Sequence, residues 1–114
     1  GGMAVSDLDK LIEAVEAGTL TAFDCGACGE FLAPYCNGKD VFLTTPMDAY
    51  HGSLDAAKAL HYQVIPKWYW QWCNGIMTVF MPFPSSYCAD GNHTDPARAW
   101  LLAILKAYRS QVHP

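Results

Sequence analysis

The feature that most constrains the possible folds of this chain is a tryptophan-rich hairpin pattern in its second half. Residues 67–73 alternate with a period of two, so Trp68, Trp70 and Trp72 share one face of a strand. Asn74-Gly75 follows, and this dipeptide favours a two-residue hairpin turn because both positions tolerate a positive φ. The chain therefore predicts an antiparallel hairpin with strands at 67–73 and 76–83.

Both faces of this hairpin are largely apolar. Met77, Val79, Met81 and Phe83 lie on one face of the returning strand, and Ile76, Thr78 and Phe80 on the other. An antiparallel sheet with one face in water alternates apolar with charged residues, and this pattern does not. We therefore expect helical cover on both sides of the hairpin.

Three amphipathic helices are predicted around the hairpin, and they span 7–17, 53–65 and 96–110. Ser53 is a suitable N-cap for the second helix, and Asp95-Pro96 reads as the N-cap and first residue of the third. Pro66 ends the second helix, since a proline disfavours helical geometry in the residue before it. The predicted fold is α+β, a three-layer α/β/α sandwich with a small, mainly antiparallel sheet.

Size and composition indicate one folded domain. The chain has 114 residues, of which 52% are hydrophobic and 16% charged, a balance that excludes intrinsic disorder. We assign residues 4–112 to one α+β domain with an irregular, cysteine-containing segment at 19–52. The net charge of −4, with seven Lys and Arg, argues against nucleic-acid binding. The longest apolar runs are far too short for a membrane span.

The first residues predict a cytoplasmic location. Gly1-Gly2 before Met3 resembles the remnant of a tag, so residues 1–3 are left out of the fold. Asp7 and Asp9 stand where a secretory signal needs basic and then apolar residues.

Several segments together resemble a known family. They are 7–12 (Asp-Leu-Asp-Lys-Leu-Ile), 52–60 (Gly-Ser-Leu-Asp-Ala-Ala-Lys-Ala-Leu), Pro66 followed by an aromatic strand, and 95–105 (Asp-Pro-Ala-Arg-Ala-Trp-Leu-Leu-Ala-Ile-Leu). This pattern is similar to the phage ABA-sandwich domain, a family of small phage and prophage proteins. The resemblance implies α-β-α layering and a phage-encoded protein in the bacterial cytoplasm, and it brings no catalytic residue with it.

The cysteines offer a candidate metal site. Cys25-Gly26-Ala27-Cys28 has the spacing that lets two thiolates bind one zinc ion, and Cys36 is a candidate third ligand. The fourth ligand is open among Cys73, Cys88, His51 and His93. A bound zinc ion would cross-link the irregular segment 19–52, for which the sequence predicts few other stabilising contacts.

Other interpretations of the cysteines remain. They include buried or idle thiols, a redox pair, and a nucleophile acting with His51, His61 or His93. Asp24 and Glu30 flank the CxxC pair and disfavour thiolate, which weakens the redox interpretation. On the apolar side of its helix, His61 is expected to be hydrogen-bonded and partly buried.

The aromatic strand is the candidate interaction surface, with Trp68, Tyr69, Trp70 and Trp72. Bases could stack on such a stripe, but the chain offers few basic residues beside it. Burial of most of these rings under helices is favoured, and a fraction left exposed would suit a protein partner. We therefore expect a non-catalytic module that binds an unidentified protein or forms a homodimer, with the zinc-stapled domain as the alternative.

Overall fold

The computed structural model describes residues 7–19 and 48–112. In chain order the elements are α1 (Asp7–Ala17), α2 (Leu54–Val64), β1 (Tyr69–Cys73), β2 (Ile76–Phe80), β3 (Cys88–Asn92) and α3 (Pro96–Val112). Residues 48–50 are also helical. The three predicted helices are confirmed, and their ends lie within two residues of the predicted ones.

The helix boundaries follow from the predicted caps. Ser53 accepts a hydrogen bond from the backbone N–H of Ala56 at 3.1 Å and so caps α2. A carboxylate oxygen of Asp95 accepts from the N–H of Ala97 at 2.9 Å at the start of α3. Each cap satisfies an amide that has no partner within its own helix.

The sheet has three antiparallel strands in the order β1-β2-β3. Cys73 pairs with Ile76 across the turn, and the register continues to Tyr69 opposite Phe80. Asn74 and Gly75 both have positive φ, at 48° and 84°, which is the signature of a type I′ turn. The predicted hairpin is confirmed, with strands somewhat shorter than expected.

β3 lies between the hairpin and α3, in a segment for which no strand was predicted. Its residues are Cys-Ala-Asp-Gly-Asn, a composition with low β-propensity. Pairing with β2 and close packing beneath α3 override that propensity, because Ala89 and Gly91 are small enough to let the helix approach. A β-carbon on Gly91 would overlap the carbonyl oxygen of Ala99 in α3.

The core lies between the sheet and α3. That helix packs on β2 and β3, while α1 and α2 pack against α3. Its buried residues include Leu101, Leu102, Ile104 and Leu105, and the sheet contributes Met77 and Val79. The protein is therefore a small α+β fold, as predicted.

Cover on both faces of the sheet is the part of the prediction that needs correction. The face turned away from α3 carries no buried side chain, and its residues are Tyr69, Gln71, Cys73, Ile76, Thr78, Phe80, Cys88, Asp90 and Asn92. In the described ranges the fold therefore has two layers rather than three. The hairpin alone suggested an apolar outer face, but β3 adds Asp90 and Asn92, which suit contact with water.

Candidate interaction surface

β1 forms an open edge of the sheet. Within the described ranges it pairs only with β2, and each of its five residues is exposed. In a two-residue hairpin the pair next to the turn exchanges both backbone hydrogen bonds, so Cys73, Gln71 and Tyr69 point their backbone groups toward β2. The N–H and C=O groups of Trp70 and Trp72 consequently point away from the sheet. We call Tyr69–Cys73, with this outward row, the β1 edge.

Among the described residues, the β1 edge lacks several of the usual protections against strand pairing. Monomeric proteins blunt an exposed edge with lysines, prolines, inward-pointing charges or bulges. Tyr69–Cys73 contains neither a charge nor a proline, and its pairing with β2 is regular throughout. An unguarded aromatic edge of this kind is suited to adding a strand from another chain.

Aromatic side chains border the β1 edge on both faces. Trp70 and Trp72 lie on the face that carries the helices and are 37% and 41% exposed. Tyr69 lies on the outer face, 58% exposed, with its ring 5.8 Å from that of Phe80. Tyr62 of α2 is 49% exposed and packs edge-on against Trp70 at 5.7 Å. Together these rings give the edge apolar contact area beside its free backbone groups.

His61 anchors the β1 edge to the helices. It is fully buried, and its Nε2 lies 2.8 Å from the carbonyl oxygen of Trp68, directly before β1. The indole Nε1–H of Trp100 donates to its Nδ1 at 3.1 Å. The Trp70 ring is 5.1 Å from both the His61 ring and the Trp100 ring. The start of β1 is thereby held in place by α2 and α3 together.

The environment of His61 keeps its imidazole neutral. Desolvation lowers its pKa below the ordinary value of 6.5, and the hydrogen bond to Trp68 opposes this effect only in part. Because the indole nitrogen of Trp100 can only donate, Nδ1 is the acceptor and Nε2 carries the hydrogen that goes to Trp68. Both ring nitrogens are therefore occupied by structural contacts, as expected for a buried, hydrogen-bonded histidine.

The four residues of the candidate surface do not share one face. Trp68 is only 5% exposed, with its ring 5.8 Å from Tyr87. Trp70 and Trp72 remain together on the helical face, and Tyr69 lies on the opposite one. Sequence reasoning missed Tyr62, whose position on α2 away from the apolar stripe was the available signal.

The proposed zinc ligands Cys25, Cys28 and Cys36 lie outside the described residues. The two described cysteines, Cys73 and Cys88, are exposed free thiols. In the part of the chain that the structure describes, no three His, Cys, Asp or Glu residues are grouped to hold a metal ion. The zinc hypothesis stays a prediction.

The other histidines named as possible ligands or bases have different surroundings. His93 accepts from the N–H of Asp95 through Nδ1 at 2.8 Å, and its Nε2 lies 3.3 Å from Arg98. His51 is exposed and packs edge-on against Tyr50.

None of the described helices combines the length and the hydropathy that crossing a membrane requires. No protein-family model, curated protein or solved structure matches the chain.

Proposed function

We propose that this chain is a non-catalytic accessory protein, encoded by a phage or prophage, that acts by binding another protein chain at the β1 edge. The observation that carries the proposal is the edge itself, an exposed strand with outward backbone groups and no charge or proline to guard it. The phage origin rests on the resemblance of the helix and strand segments to the phage ABA-sandwich family.

The chemistry of the β1 edge supports a strand as the bound element. In strand addition, backbone hydrogen bonds supply affinity and alternate side chains supply specificity. Trp70 and Trp72 offer the backbone groups, and their indoles belong to the residue type most enriched at the energetic centres of interfaces. A small ligand would leave most of this linear row unused.

A non-catalytic role is supported by the histidines near the sheet. Nε2 of His61 is hydrogen-bonded to the carbonyl oxygen of Trp68 and its Nδ1 to the indole of Trp100. Nδ1 of His93 accepts a hydrogen bond from the backbone N–H of Asp95. Within residues 7–19 and 48–112, the hydrogen-bond partners of these two rings include no nucleophilic side chain, and a base in covalent catalysis needs such a partner.

Two substitutions at Trp72 test this proposal as a matched pair. Trp72→Pro removes an outward N–H and leaves the bonds to β2 in place, because a proline is tolerated at such a position of an edge strand. Trp72→Val removes the same indole but keeps the N–H and the strand preference. The wild-type chain and both variants are immobilised and offered the purified wild-type chain and an extract of the bacterial host.

We expect capture by the wild-type chain, weaker capture by the Val variant and none by the Pro variant. Equal capture by the Val and Pro variants would show that backbone pairing at β1 contributes nothing. That result, with both variants folded by circular dichroism, would remove the proposal.

A further inference from the structure

We infer that the strand received by the β1 edge is β1 of a second copy, paired antiparallel about a twofold axis that passes between the two Gln71 residues. The inference rests on the proposed function, since it names the occupant of the same edge. The three strands of each copy would then form one continuous six-stranded sheet.

Backbone geometry selects this register. Hydrogen-bonded pairs across a new antiparallel junction must join residues whose N–H and C=O groups both point outward, and in β1 these are Trp70 and Trp72. An axis at Gln71 places Trp70 of each copy opposite Trp72 of the other copy. Each such pair exchanges two hydrogen bonds. If the register shifts by one residue, backbone groups that point toward the second copy face groups that point toward β2, and no bond forms. If it shifts by two residues, part of each β1 strand has no residue of the other strand opposite it.

The side chains of β1 are compatible with a copy of themselves. Tyr69–Cys73 contains no charged residue, so pairing two copies opposes no like charges, although the chain as a whole carries −4. Gln71 meets Gln71 of the second copy at the axis. A glutamine side chain has both a donor and an acceptor, so this meeting is a complementary one.

On the face of the sheet that carries the helices, aromatic side chains meet at the junction. A twofold axis perpendicular to the sheet keeps both helical layers on the same side. The indoles of Trp70 and Trp72 from each copy then lie together there, flanked by the exposed ring of Tyr62. Closed twofold pairing also occupies both β1 edges, so association through this edge stops at the dimer, and β3 forms the two outer strands of the joined sheet.

Opposite charges at Gln71 test the axis directly. Gln71→Lys and Gln71→Glu each place two like charges directly opposite one another in the dimer, whereas in one copy the residue is exposed and faces Thr78. Asn92→Lys and Asn92→Glu are the matched controls, since Asn92 is exposed on the same outer face but lies on β3, two strands away. Sedimentation equilibrium measures the dimer dissociation constant of each variant.

We expect a wild-type dimer, a dissociation constant raised about fivefold or more for each Gln71 variant, and no comparable change for the Asn92 variants. An equimolar mixture of Gln71→Lys and Gln71→Glu is expected to restore association as a mixed dimer. Urea unfolding of the dilute variants confirms that the fold itself is retained.

The outcomes separate this inference from the proposed function. A wild-type chain that stays monomeric at its highest soluble concentration overturns the homodimer; the proposed function survives if the Trp72→Pro variant still loses capture of another protein. A dimer unaffected by the Gln71 charges overturns the axis assigned here. If the Trp72→Pro and Trp72→Val variants also capture other chains equally, the β1 edge is not the interface and both proposals are wrong.

Discussion

The indole Nε1–H of Trp100 donates a hydrogen bond of 3.1 Å to Nδ1 of His61 inside the core. This bond joins α3 to α2, and the opposite nitrogen of the same ring joins α2 to the residue before β1. The single buried polar side chain among the described residues is thus satisfied at both nitrogens. The same side chain therefore both holds the start of β1 in place and stabilises the packing of the two helices.

Removing the His61 ring is expected to destabilise the protein strongly. His61→Ala leaves a cavity together with a buried indole N–H and a buried carbonyl without partners, which should lower the free energy of unfolding by about 3 kcal/mol. Urea unfolding followed by tryptophan fluorescence measures the loss. His51→Ala is the control, because His51 is exposed, and its effect is expected to stay within about 0.5 kcal/mol. Similar losses for the two variants would contradict the role assigned to His61.

Acidification is expected to weaken the fold through the same ring. The pKa of His61 in the folded protein lies below its ordinary value of 6.5, so the unfolded chain binds the proton more readily. The free energy of unfolding should therefore fall as the pH drops through 6.5 and level off once the folded-state pKa is passed. Urea midpoints between pH 8 and pH 5 (about the range in which histidines titrate) measure this slope.

The pH effect has a specific control. His61→Gln does not titrate in this range, so its stability should vary less with pH than that of the wild-type chain. If the two pH profiles run parallel, another group is responsible for the wild-type slope.

Gly91 is expected to tolerate no side chain. A β-carbon there would overlap the backbone of Ala99 and lie 2.9 Å from the nitrogen of Ala103, so α3 would have to move off β3. We predict that Gly91→Ala costs about 3 kcal/mol in thermal or urea unfolding. Gly75→Ala, whose β-carbon has room but whose φ is +84°, should cost only about 1 kcal/mol. The reverse order would show that the contact between β3 and α3 is looser than described.

Arg98 is expected to hold residues 48–50 against α3. Its Nε–H donates to the carbonyl oxygen of Tyr50 at 3.2 Å, and its guanidinium carbon lies 4.2 Å above the centre of the Tyr50 ring. Arg98→Ala should lower the unfolding free energy by about 2 kcal/mol. Arg109→Ala is the matched control, because its ion pair with Asp9 is well exposed and should contribute less than about 1 kcal/mol. Equal losses for both arginines would refute the distinction.

Metal content tests the hypothesis built on Cys25, Cys28 and Cys36. If these thiolates bind zinc, the chain purified without chelator should contain one equivalent, and chelation should lower its melting temperature. Cys28→Ser should lose the metal. Cys73→Ser and Cys88→Ser would then show whether either exposed thiol supplies the fourth ligand. Chain that contains no zinc under these conditions removes the hypothesis.

Local signals were sufficient for much of the secondary structure. Ser53, Asp95 and Pro96 act over a few residues, so the ends of α2 and the start of α3 could be predicted from neighbours in the chain. Asn74-Gly75 likewise determines its own turn and the register beside it. β3 could not be predicted in this way, because Cys88–Asn92 is extended only through its pairing with β2.

The candidate site was predictable only in part. The aromatic strand drew attention to Tyr69, Trp70 and Trp72, but periodicity cannot tell an edge strand from a central one. Nor could it single out Trp68 as the buried ring or bring Tyr62 beside Trp70, since both depend on contacts between segments that are separate in the chain.

The amino-acid order by itself determined the three helices, the hairpin and the α+β class, because caps, turns and apolar periods depend on short-range sterics and hydrogen bonding. Only the tertiary structure decided that β3 completes the sheet, that helices cover one described face, and that β1 lies at an edge. Those properties depend on which distant segments meet, and burial and strand pairing are settled by the whole assembled core rather than by any one segment.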